Sequence, residues 1–208
     1  MRKLLLLSSL RNVINGNLPP VLGKPFSEFK AVHVINASKG VSDLKYFERN
    51  KAFFRENGWN IEELDLDGKN EDDLRLILKD KDLVYVEGGN TFCLLKSIRE
   101  SGFDVVIREL LPQGLIYMGA SAGSYVACPT IEMATWKQEK NRFGITDVTA
   151  MNLVPFLLFA HYTPEYKSML EGKIPEASYP VRILADGQAL FVQDDVVAFI
   201  GGPEVTLS

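Results

Sequence analysis

The amino-acid sequence predicts an α/β fold in which a mostly parallel β-sheet is sandwiched between helices. Over the first 130 residues, short apolar and β-branched runs alternate with segments that have apolar residues at helical spacing. Alternation of this kind builds a parallel sheet with helices on both faces. The last third instead carries short strand-like runs broken by Asp-Gly and Asp-Asp. We therefore expect a C-terminal antiparallel hairpin at the edge of the sheet.

Each predicted element carries its own local signals. The predicted strands cover 3–9, 31–37, 60–66, 83–89 and 114–120. The predicted helices cover 41–58, 71–80, 90–102 and 103–114. Two of these helices have recognisable ends. The first begins with Ser42 or Asp43 as a cap and ends at Gly58, and the third begins with Asn90 or Thr91 as a cap and ends at Gly102.

The bulk properties predict one domain over residues 1–208 and argue against several classes of partner. With 208 residues, of which 46% are hydrophobic, the chain can bury one substantial core. Its net charge of -4 comes from interspersed acidic and basic residues, so nucleic acid is not expected as a partner. No apolar run approaches the roughly 20 residues that span a bilayer, so no membrane partner is expected.

The N-terminal stretch MRKLLLLSSL imitates a signal peptide but is predicted to be a buried first strand. Its apolar part covers only Leu4 to Leu7, whereas the apolar region of a signal peptide has about 7 to 15 residues. Cys93 and Cys128 lie in apolar helical contexts without metal-type spacing. We expect both to be reduced core residues, which fits a cytoplasmic protein.

The segment G-A-S-A-G around Ser121 is the first candidate for chemistry. A strand-like run, GLIYM, leads into it, and small residues follow it. A nucleophile on a sharp strand-to-helix turn needs small neighbours, and the helix behind it aims N–H groups at an oxyanion. The sequence therefore predicts that Ser121 is a nucleophile. Close packing of a helix on the sheet by small residues is the alternative.

A serine nucleophile needs a base, and the chain has only two histidines. His33 lies in the middle of a predicted strand, whereas His161 follows the apolar run LVPFLLFA and is expected at a strand end. Because sites in open parallel sheets form beyond the carboxyl ends of the strands, His161 is the predicted base. The acid that orients it is left open among Glu132, Asp147, Asp186 and Asp194.

The turn EGGNT, residues 87–91, is expected to face the serine turn because both follow sheet strands. Two glycines let a backbone approach a ligand closely, so this loop can supply one oxyanion N–H and Ala122 the other. We expect Gly88, Asn90 and Thr91 to contact the substrate. A plain helix N-cap after a glycine turn is the alternative.

Four blocks of the sequence resemble the peptidase E family, which contains the α-aspartyl dipeptidases and, more distantly, the cyanophycinases. The blocks are YVEGGNTFCLLKSIRESG, GLIYMGASAGSYVACPTIE, FLLFAHYTPEY and ILADGQAL. Their order and spacing agree with the family over about residues 30 to 201. The resemblance implies the fold of class I glutamine amidotransferases, with a serine in place of the amidotransferase cysteine.

The resemblance also implies roles for single residues. The nucleophile falls on Ser121, the base on His161 and the acid on Asp186, so it favours Asp186 over Asp147. The oxyanion donors fall on Gly89 and Ala122.

The sequence departs from the family in the segment between base and acid. The base lies in Ala-His-Tyr rather than Pro-His-Phe, and the acid is an aspartate rather than a glutamate. The segment 162–185 is shorter than in the dipeptidases, where it carries the arginine that binds the N-terminal aspartate of the substrate. Its cations here are Lys167, Lys173 and Arg182, none clearly matched to that arginine.

The sequence thus predicts a serine peptidase that acts on small peptides, including dipeptides with an N-terminal aspartate. It predicts no cofactor and no metal, and it leaves assembly as a homodimer open. Two alternatives remain at this point. One is a binding or sensing protein without activity on the same fold, and the other is a small-molecule esterase that would use Asp147. An amidotransferase would need a cysteine at position 121.

Overall fold

A seven-stranded sheet runs through the centre of the protein. A computed structural model describes residues 1–10 and 21–207. Over these residues the strands are β1 (Lys3–Leu7), β2 (Ala31–Val34), β3 (Ile61–Leu64), β4 (Leu83–Val86), β5 (Ile116–Ala120), β6 (Leu157–Phe159), β7 (Val181–Ile183), β8 (Ala189–Gln193) and β9 (Val196–Ile200). The seven-stranded sheet has the order β3-β2-β4-β5-β1-β8-β9, and β6 and β7 form a separate pair.

The sheet is parallel from β3 to β1 and antiparallel beyond it. Strands β3, β2, β4, β5 and β1 pair in parallel, whereas β8 runs antiparallel to both β1 and β9. The turn between β8 and β9 contains Asp194, whose φ of 51° is tolerated better by Asp and Asn than by most other residues. The predicted α/β fold and its C-terminal hairpin are therefore confirmed.

Helices connect the parallel strands and cover both faces of the sheet. The α-helices over the described residues are α1 (Lys45–Glu56), α2 (Glu71–Leu78), α3 (Thr91–Ser101), α4 (Phe103–Leu110), α5 (Ala122–Tyr125), α6 (Glu132–Trp136) and α7 (Lys167–Lys173). Short 3-10 turns lie at Phe26–Glu28, Asn36–Gly40, Leu111–Gln113, Pro164–Tyr166 and Ile174–Glu176. The four helices predicted from periodicity correspond to α1 to α4.

Strand β1 is a buried central strand, as predicted. Successive side chains of a strand point to opposite faces of its sheet. Leu4 and Leu6 accordingly join one hydrophobic core, and Leu5 and Leu7 join the other. All four leucines are fully buried, which is the pattern of a strand covered on both faces.

Strands β6 and β7 form a small parallel sheet that the sequence patterns did not predict. Leu157 pairs with Val181, and Phe159 pairs with Ile183. In the C-terminal part of the described chain, β8 and β9 join the main sheet, whereas β7 pairs with β6. Because β6 and β7 are parallel and in register, the residues that follow them lie side by side.

Two other expectations concern membrane segments and cysteines. Within the described part of the chain, no helix has the length and apolar character needed to cross a bilayer. Cys93 and Cys128 are free and buried, and burial raises the pKa of the Cys128 thiol to about 12. Both cysteines therefore lie in the core, as the sequence predicted.

Candidate active site

Ser121 lies on a sharp turn between β5 and α5. Its backbone has φ 50° and ψ -110°, a conformation that residues other than glycine rarely adopt. Strained backbone of this kind persists only where the surrounding structure holds it in place, and it is concentrated at functional sites. The strand-turn-helix context predicted around Ser121 is therefore present.

Contacts from β1 and β4 hold this turn. The carbonyl of Leu7 accepts the Ser121 N–H at 3.0 Å and the Ser124 hydroxyl at 2.8 Å. A Cβ added to Gly123 would lie 2.1 Å from the Val86 carbonyl oxygen, so only glycine fits at that position. The small residues of G-A-S-A-G thus allow close helix-sheet packing, and that packing exposes Ser121 at the strand end.

His161 lies beside Ser121, two residues after β6. Its Nε2 is 2.9 Å from Ser121 Oγ, and its backbone φ is 56°. The preceding residue, Ala160, is fixed from two sides. Its N–H donates to the Tyr125 hydroxyl at 3.2 Å, and its carbonyl accepts from Lys137 Nζ at 3.1 Å. The base predicted from the sequence is therefore placed next to the predicted nucleophile.

Asp186 contacts the other ring nitrogen of His161. Its Oδ1 lies 2.6 Å from His161 Nδ1 and accepts the Ser8 hydroxyl at 2.7 Å. The hydrogen bond with His161 lowers the pKa of the Asp186 carboxyl to about 2, despite the opposing effect of partial burial. Asp186 is therefore ionised at neutral pH and faces the imidazole.

The pairing of β6 with β7 brings His161 and Asp186 together. The Leu184 N–H donates to the Phe159 carbonyl, and the Tyr162 N–H donates to the Leu184 carbonyl, each within 2.9 Å. This ladder continues past the ends of both strands, so His161 on one side meets Asp186 on the other. The short side chain of Asp186 reaches His161 because the backbones that follow β6 and β7 are hydrogen-bonded to each other.

The alternative acids lie elsewhere. Asp147 is exposed and pairs with Arg99 at 3.1 Å, while the carboxylate of Glu132 accepts the Thr130 hydroxyl. Asp194 accepts the backbone N–H of Arg2. Among the described residues, Asp186 is the acid whose carboxylate contacts His161, so the esterase alternative that needed Asp147 loses its geometric support.

The glycines of the EGGNT turn face the serine turn, as expected. A Cβ on Gly88 would lie 3.2 Å from Ser121 Cβ, so the two loops are in close contact. Gly89 has φ 142°, and a Cβ there would lie 2.4 Å from the Ala37 carbonyl oxygen. Glycine is therefore required at this position by both the backbone conformation and the available space.

Asn90 and Thr91, which the sequence predicts to contact the substrate, are buried and are not among the residues that line the cleft described below. Asn90 caps α3 by accepting the Cys93 N–H at 2.9 Å, and its amide donates to the Lys140 carbonyl. Thr91 is fully buried, and both its N–H and its hydroxyl donate to the Glu139 carboxylate. These contacts tie the loop to the start of α3 and to the segment at Glu139 and Lys140.

Glu87, the first residue of this turn, is buried with 2% of its side chain exposed. Its carboxylate accepts from the Tyr85 hydroxyl, the Asn50 amide and the Gly88 N–H, and it lies 3.0 Å from Nε2 of His33. Burial, with the neighbouring carboxylate, raises the pKa of Tyr85 well above its usual value. Glu87 therefore ties β2, α1 and β4 to the glycine turn, and it places the other histidine, His33, in the core.

A cleft of about 510 Å³ opens over Ser121. Pockets of about 300 to 1,000 Å³ are typical of small-molecule sites. It is lined by Ser8, Ser9, Leu10, Tyr46, Arg49, Asn50, Glu87, Gly88, Gly89, Ala120, Ser121, His161 and Asp186. Among the residues that the structure describes, no group of three or more His, Cys, Asp or Glu side chains is arranged to hold a metal ion.

Two parts of this cleft were missed by the sequence reasoning. Ser8 follows β1, the neighbour of β5, so the rule about strand ends could have identified it. Tyr46, Arg49 and Asn50 lie on α1 with the spacing of one helix face. That spacing was visible in the sequence, but nothing in it indicated that this face meets the cleft.

The cations considered in the segment 162–185 do not line this cleft. Arg182 pairs with Glu204, Lys173 pairs with Glu176, and Lys167 pairs with Glu171. Among the described residues that line the cleft, the lysine or arginine side chain is that of Arg49, on α1.

The sequence profile described as Peptidase family S51 matches residues 4–200. The chain belongs to peptidase family S51. The match covers β1 through β9 and so includes every residue of the site described above. Membership assigns the chain to the peptidases, which are hydrolases.

Similar proteins are named as peptidases. An uncharacterized peptidase of Listeria monocytogenes is 30% identical over 93% of this chain and 95% of that protein. Peptidase E of Shewanella amazonensis is 33% identical over 64% of this chain and 59% of that protein. The predicted membership in the peptidase E family is therefore confirmed.

Two solved structures have folds similar to that of this chain. The crystal structure of a Listeria monocytogenes protein assigned to peptidase E has a TM-score of 0.84 at 26% identity, covering 98% of this chain and 100% of that chain. A peptidase from an acI-B1 Actinobacterium has a TM-score of 0.68 at 14% identity, covering 97% and 88%. The second likeness concerns the fold alone.

Proposed function

We propose that this member of family S51 is a serine peptidase that hydrolyses small peptides, including dipeptides with an N-terminal aspartate, through Ser121, His161 and Asp186. One observation carries the proposal: a continuous chain of contacts runs from Asp186 through His161 to Ser121, with distances of 2.6 and 2.9 Å. Both are hydrogen-bond lengths, so His161 Nε2 is within reach of the Ser121 proton and His161 Nδ1 is held by Asp186.

The first step forms an acyl-enzyme. Ser121 Oγ attacks the scissile carbonyl carbon while its proton passes to His161 Nε2. The tetrahedral intermediate then collapses as His161 gives that proton to the leaving amine, and the C–N bond breaks. The first product departs with a free amino group, and the acyl group stays on Ser121 as an ester.

The second step releases the acyl group. A water molecule takes the place of the departed amine, and His161 removes its proton as the oxygen attacks the ester carbonyl. Collapse of the second intermediate returns a proton to Ser121 Oγ. The acid product leaves, and the serine and histidine are restored for another cycle.

Asp186 keeps the imidazole in the tautomer that this cycle needs. With its lowered pKa it stays ionised, so it accepts the Nδ1–H of His161 and leaves Nε2 free to take the serine proton. It also stabilises the imidazolium that forms during attack. Asp186 itself carries no proton at any step.

The oxyanion is proposed to accept the N–H groups of Gly89 and Ala122. Ala122 is the first residue of α5, so its N–H has no acceptor within the helix. Gly89 follows Gly88, which packs on Ser121. Donors fixed before the reaction stabilise the developing negative charge without reorganising, which is the largest single contribution in many acyl transfers.

The size of the cleft and the names of the relatives both support a small peptide as substrate. A cleft of about 510 Å³ accommodates a short peptide. The aspartyl preference comes from the resemblance to the α-aspartyl dipeptidases and from relatives named peptidase E.

The test compares wild type with Ser121→Ala on a panel of dipeptides, including Asp-Leu and Ala-Leu. We expect Ser121→Ala to lower kcat by several orders of magnitude at unchanged far-UV circular dichroism. A fluorophosphonate probe should label wild type and leave the variant unlabelled. Normal peptide turnover by Ser121→Ala would overturn the proposal. Hydrolysis of aryl esters without hydrolysis of any dipeptide would instead identify an esterase.

A further inference from the structure

One face of α1 forms a wall of the cleft. Tyr46, Arg49 and Asn50 line it together, at positions i, i+3 and i+4 of the helix. Tyr46 and Asn50 are fixed. The Tyr46 hydroxyl donates to the Gly88 carbonyl at 2.9 Å, and the Asn50 amide donates to the Glu87 carboxylate. Arg49 therefore projects from a rigid part of the wall.

Arg49 is the unpaired charge of this wall. Its side chain is exposed, and among the described residues no Asp or Glu lies within 4.0 Å of its guanidinium. The two carboxylates that line the cleft are already engaged: Glu87 with four donors, and Asp186 with His161 and Ser8. Within the described lining, Arg49 is thus a permanent cation without a protein counter-ion.

A guanidinium in such a position suits one class of ligand. Its planar fork of N–H donors matches the two oxygens of a carboxylate, and it is charged at every physiological pH. The lysines and the arginine of the segment 162–185 pair with glutamates instead.

We propose that Arg49 binds a carboxylate of the peptide substrate and thereby determines specificity. This inference rests on the proposed peptidase function. A short acidic peptide offers two carboxylates, one on an N-terminal aspartate side chain and one at the C-terminus. Both present the same chemistry to a guanidinium. The specificity cation is then supplied by a helix that precedes the nucleophile in the chain, rather than by the segment between base and acid.

The experiment separates binding from turnover by using the Ser121→Ala protein. Dissociation constants are measured by calorimetry for Asp-Leu, Asn-Leu and Asp-Leu-amide, with and without Arg49→Gln. Arg55→Gln is the matched control, because Arg55 lies on the same helix but outside the cleft. Wild type, Arg49→Gln and Arg55→Gln are then compared for kcat/KM on the same peptides.

The three peptides distinguish the two carboxylates. If Arg49 binds the aspartate side chain, Arg49→Gln weakens Asp-Leu and Asp-Leu-amide by about 10- to 100-fold and leaves Asn-Leu unchanged. If Arg49 binds the C-terminal carboxylate, the same loss appears for Asp-Leu and Asn-Leu and not for the amide. In either case the loss in kcat/KM is expected in KM, with kcat retained, and Arg55→Gln changes neither constant.

Two results would overturn the inference. One is equal affinity of Arg49→Gln and its parent for all three peptides, and the other is an equal loss for all three. Absence of measurable peptide binding to the Ser121→Ala parent would also overturn it. The proposed function fails separately, when wild type turns over no dipeptide, whatever the binding measurements give.

Discussion

The hydroxyl of Ser8 donates a 2.7 Å hydrogen bond to the carboxylate of Asp186. Ser8 Oγ also accepts the backbone N–H of His161, at 2.8 Å. Ser8 is fully buried at the end of β1. One side chain from the central strand therefore joins the backbone of the proposed base to the side chain of the proposed acid, although neither belongs to the main sheet.

Replacing Ser8 with alanine is expected to loosen both contacts. The His161 N–H would lose its acceptor and Asp186 one donor, each an interaction of about 1 kcal/mol, so kcat should fall about tenfold or slightly more at nearly unchanged KM. Steady-state kinetics on a dipeptide measure this effect. Ser101→Ala is the control, because it also removes a buried hydroxyl, bonded within α3. It should cost similar stability without any change in kcat. Equal kcat in Ser8→Ala and wild type would contradict this positioning role.

Asp186→Asn is expected to lower kcat by about a thousandfold or more, because an amide no longer enforces the tautomer with a proton on Nδ1. Asp147→Asn changes a carboxylate that pairs with Arg99 on the surface and should leave kcat unchanged. Side-by-side kinetics on one peptide decide between the two acids. A large loss in Asp147→Asn with a mild one in Asp186→Asn would reverse the assignment.

The lowered pKa of Asp186 also predicts how its contribution to stability varies with pH. Between its usual value of 3.8 and about 2, the unfolded chain binds a proton that the folded chain does not. The stabilisation by the carboxylate is thus fully present above pH 3.8 and is lost as the pH falls through about 2.

For this half-exposed group the stabilisation amounts to at most about 1 kcal/mol. Urea unfolding should show a difference in the free energy of unfolding between wild type and Asp186→Asn near neutral pH. This difference should disappear as the pH falls to about 2. A difference that grows toward acid pH would contradict this sign.

Gly123→Ala is expected to disrupt the nucleophile turn. The added methyl would lie 2.1 Å from the Val86 carbonyl, and backbone cannot yield as a flexible side chain does. We expect a loss of about 2 kcal/mol or more in the free energy of unfolding, with a fall in activity. Gly172→Ala in α7 is the matched control, since its methyl meets nothing within 4 Å. It should stabilise the helix by up to about 1 kcal/mol. Thermal unfolding measures both, and a neutral Gly123→Ala would show that α5 can shift away from β4.

Glu87→Ala is expected to be among the most destabilising changes in the chain. It leaves the buried donors of His33, Asn50 and Tyr85 without their shared acceptor, which should cost about 3 to 5 kcal/mol in the free energy of unfolding. Glu63→Ala removes an exposed partner of Lys51 and should cost less than about 1 kcal/mol. Urea denaturation compares the two. Equal losses would show that water replaces the carboxylate.

Much of the site could be predicted because strand ends and small residues leave local traces in the sequence. Ser121 has glycines on both sides and a strand before it, and His161 follows an apolar run. These patterns follow from the steric demands of a tight turn and from the position of sites in parallel sheets. Asp186 was favoured only by the resemblance to a family, because an Asp-Gly pair by itself is a common turn.

Other parts of the site could not be predicted from local patterns. The roles of Ser8, Arg49 and Glu87 depend on which surfaces meet after folding. Ser8 acts on residues more than 150 positions away along the chain, and no periodicity reports such a contact. The polar side chains of Asn90 and Thr91, next to two glycines, suggest ligand contact, whereas the structure buries both residues. Their hydrogen-bond partners, Lys140 and Glu139, come from a distant segment that buries them.

The sequence by itself determined the order of strands and helices, the turn at Ser121 and the choice of His161 over His33, because each follows from short-range sterics and hydrophobic periodicity. The tertiary structure decided which acid reaches His161, which helix supplies the cation of the cleft, and that Glu87 is buried. Those outcomes depend on the parallel pairing of β6 with β7 and on the packing of α1 against β4. Such contacts join residues far apart in the chain, so their geometry is fixed only when the whole core closes.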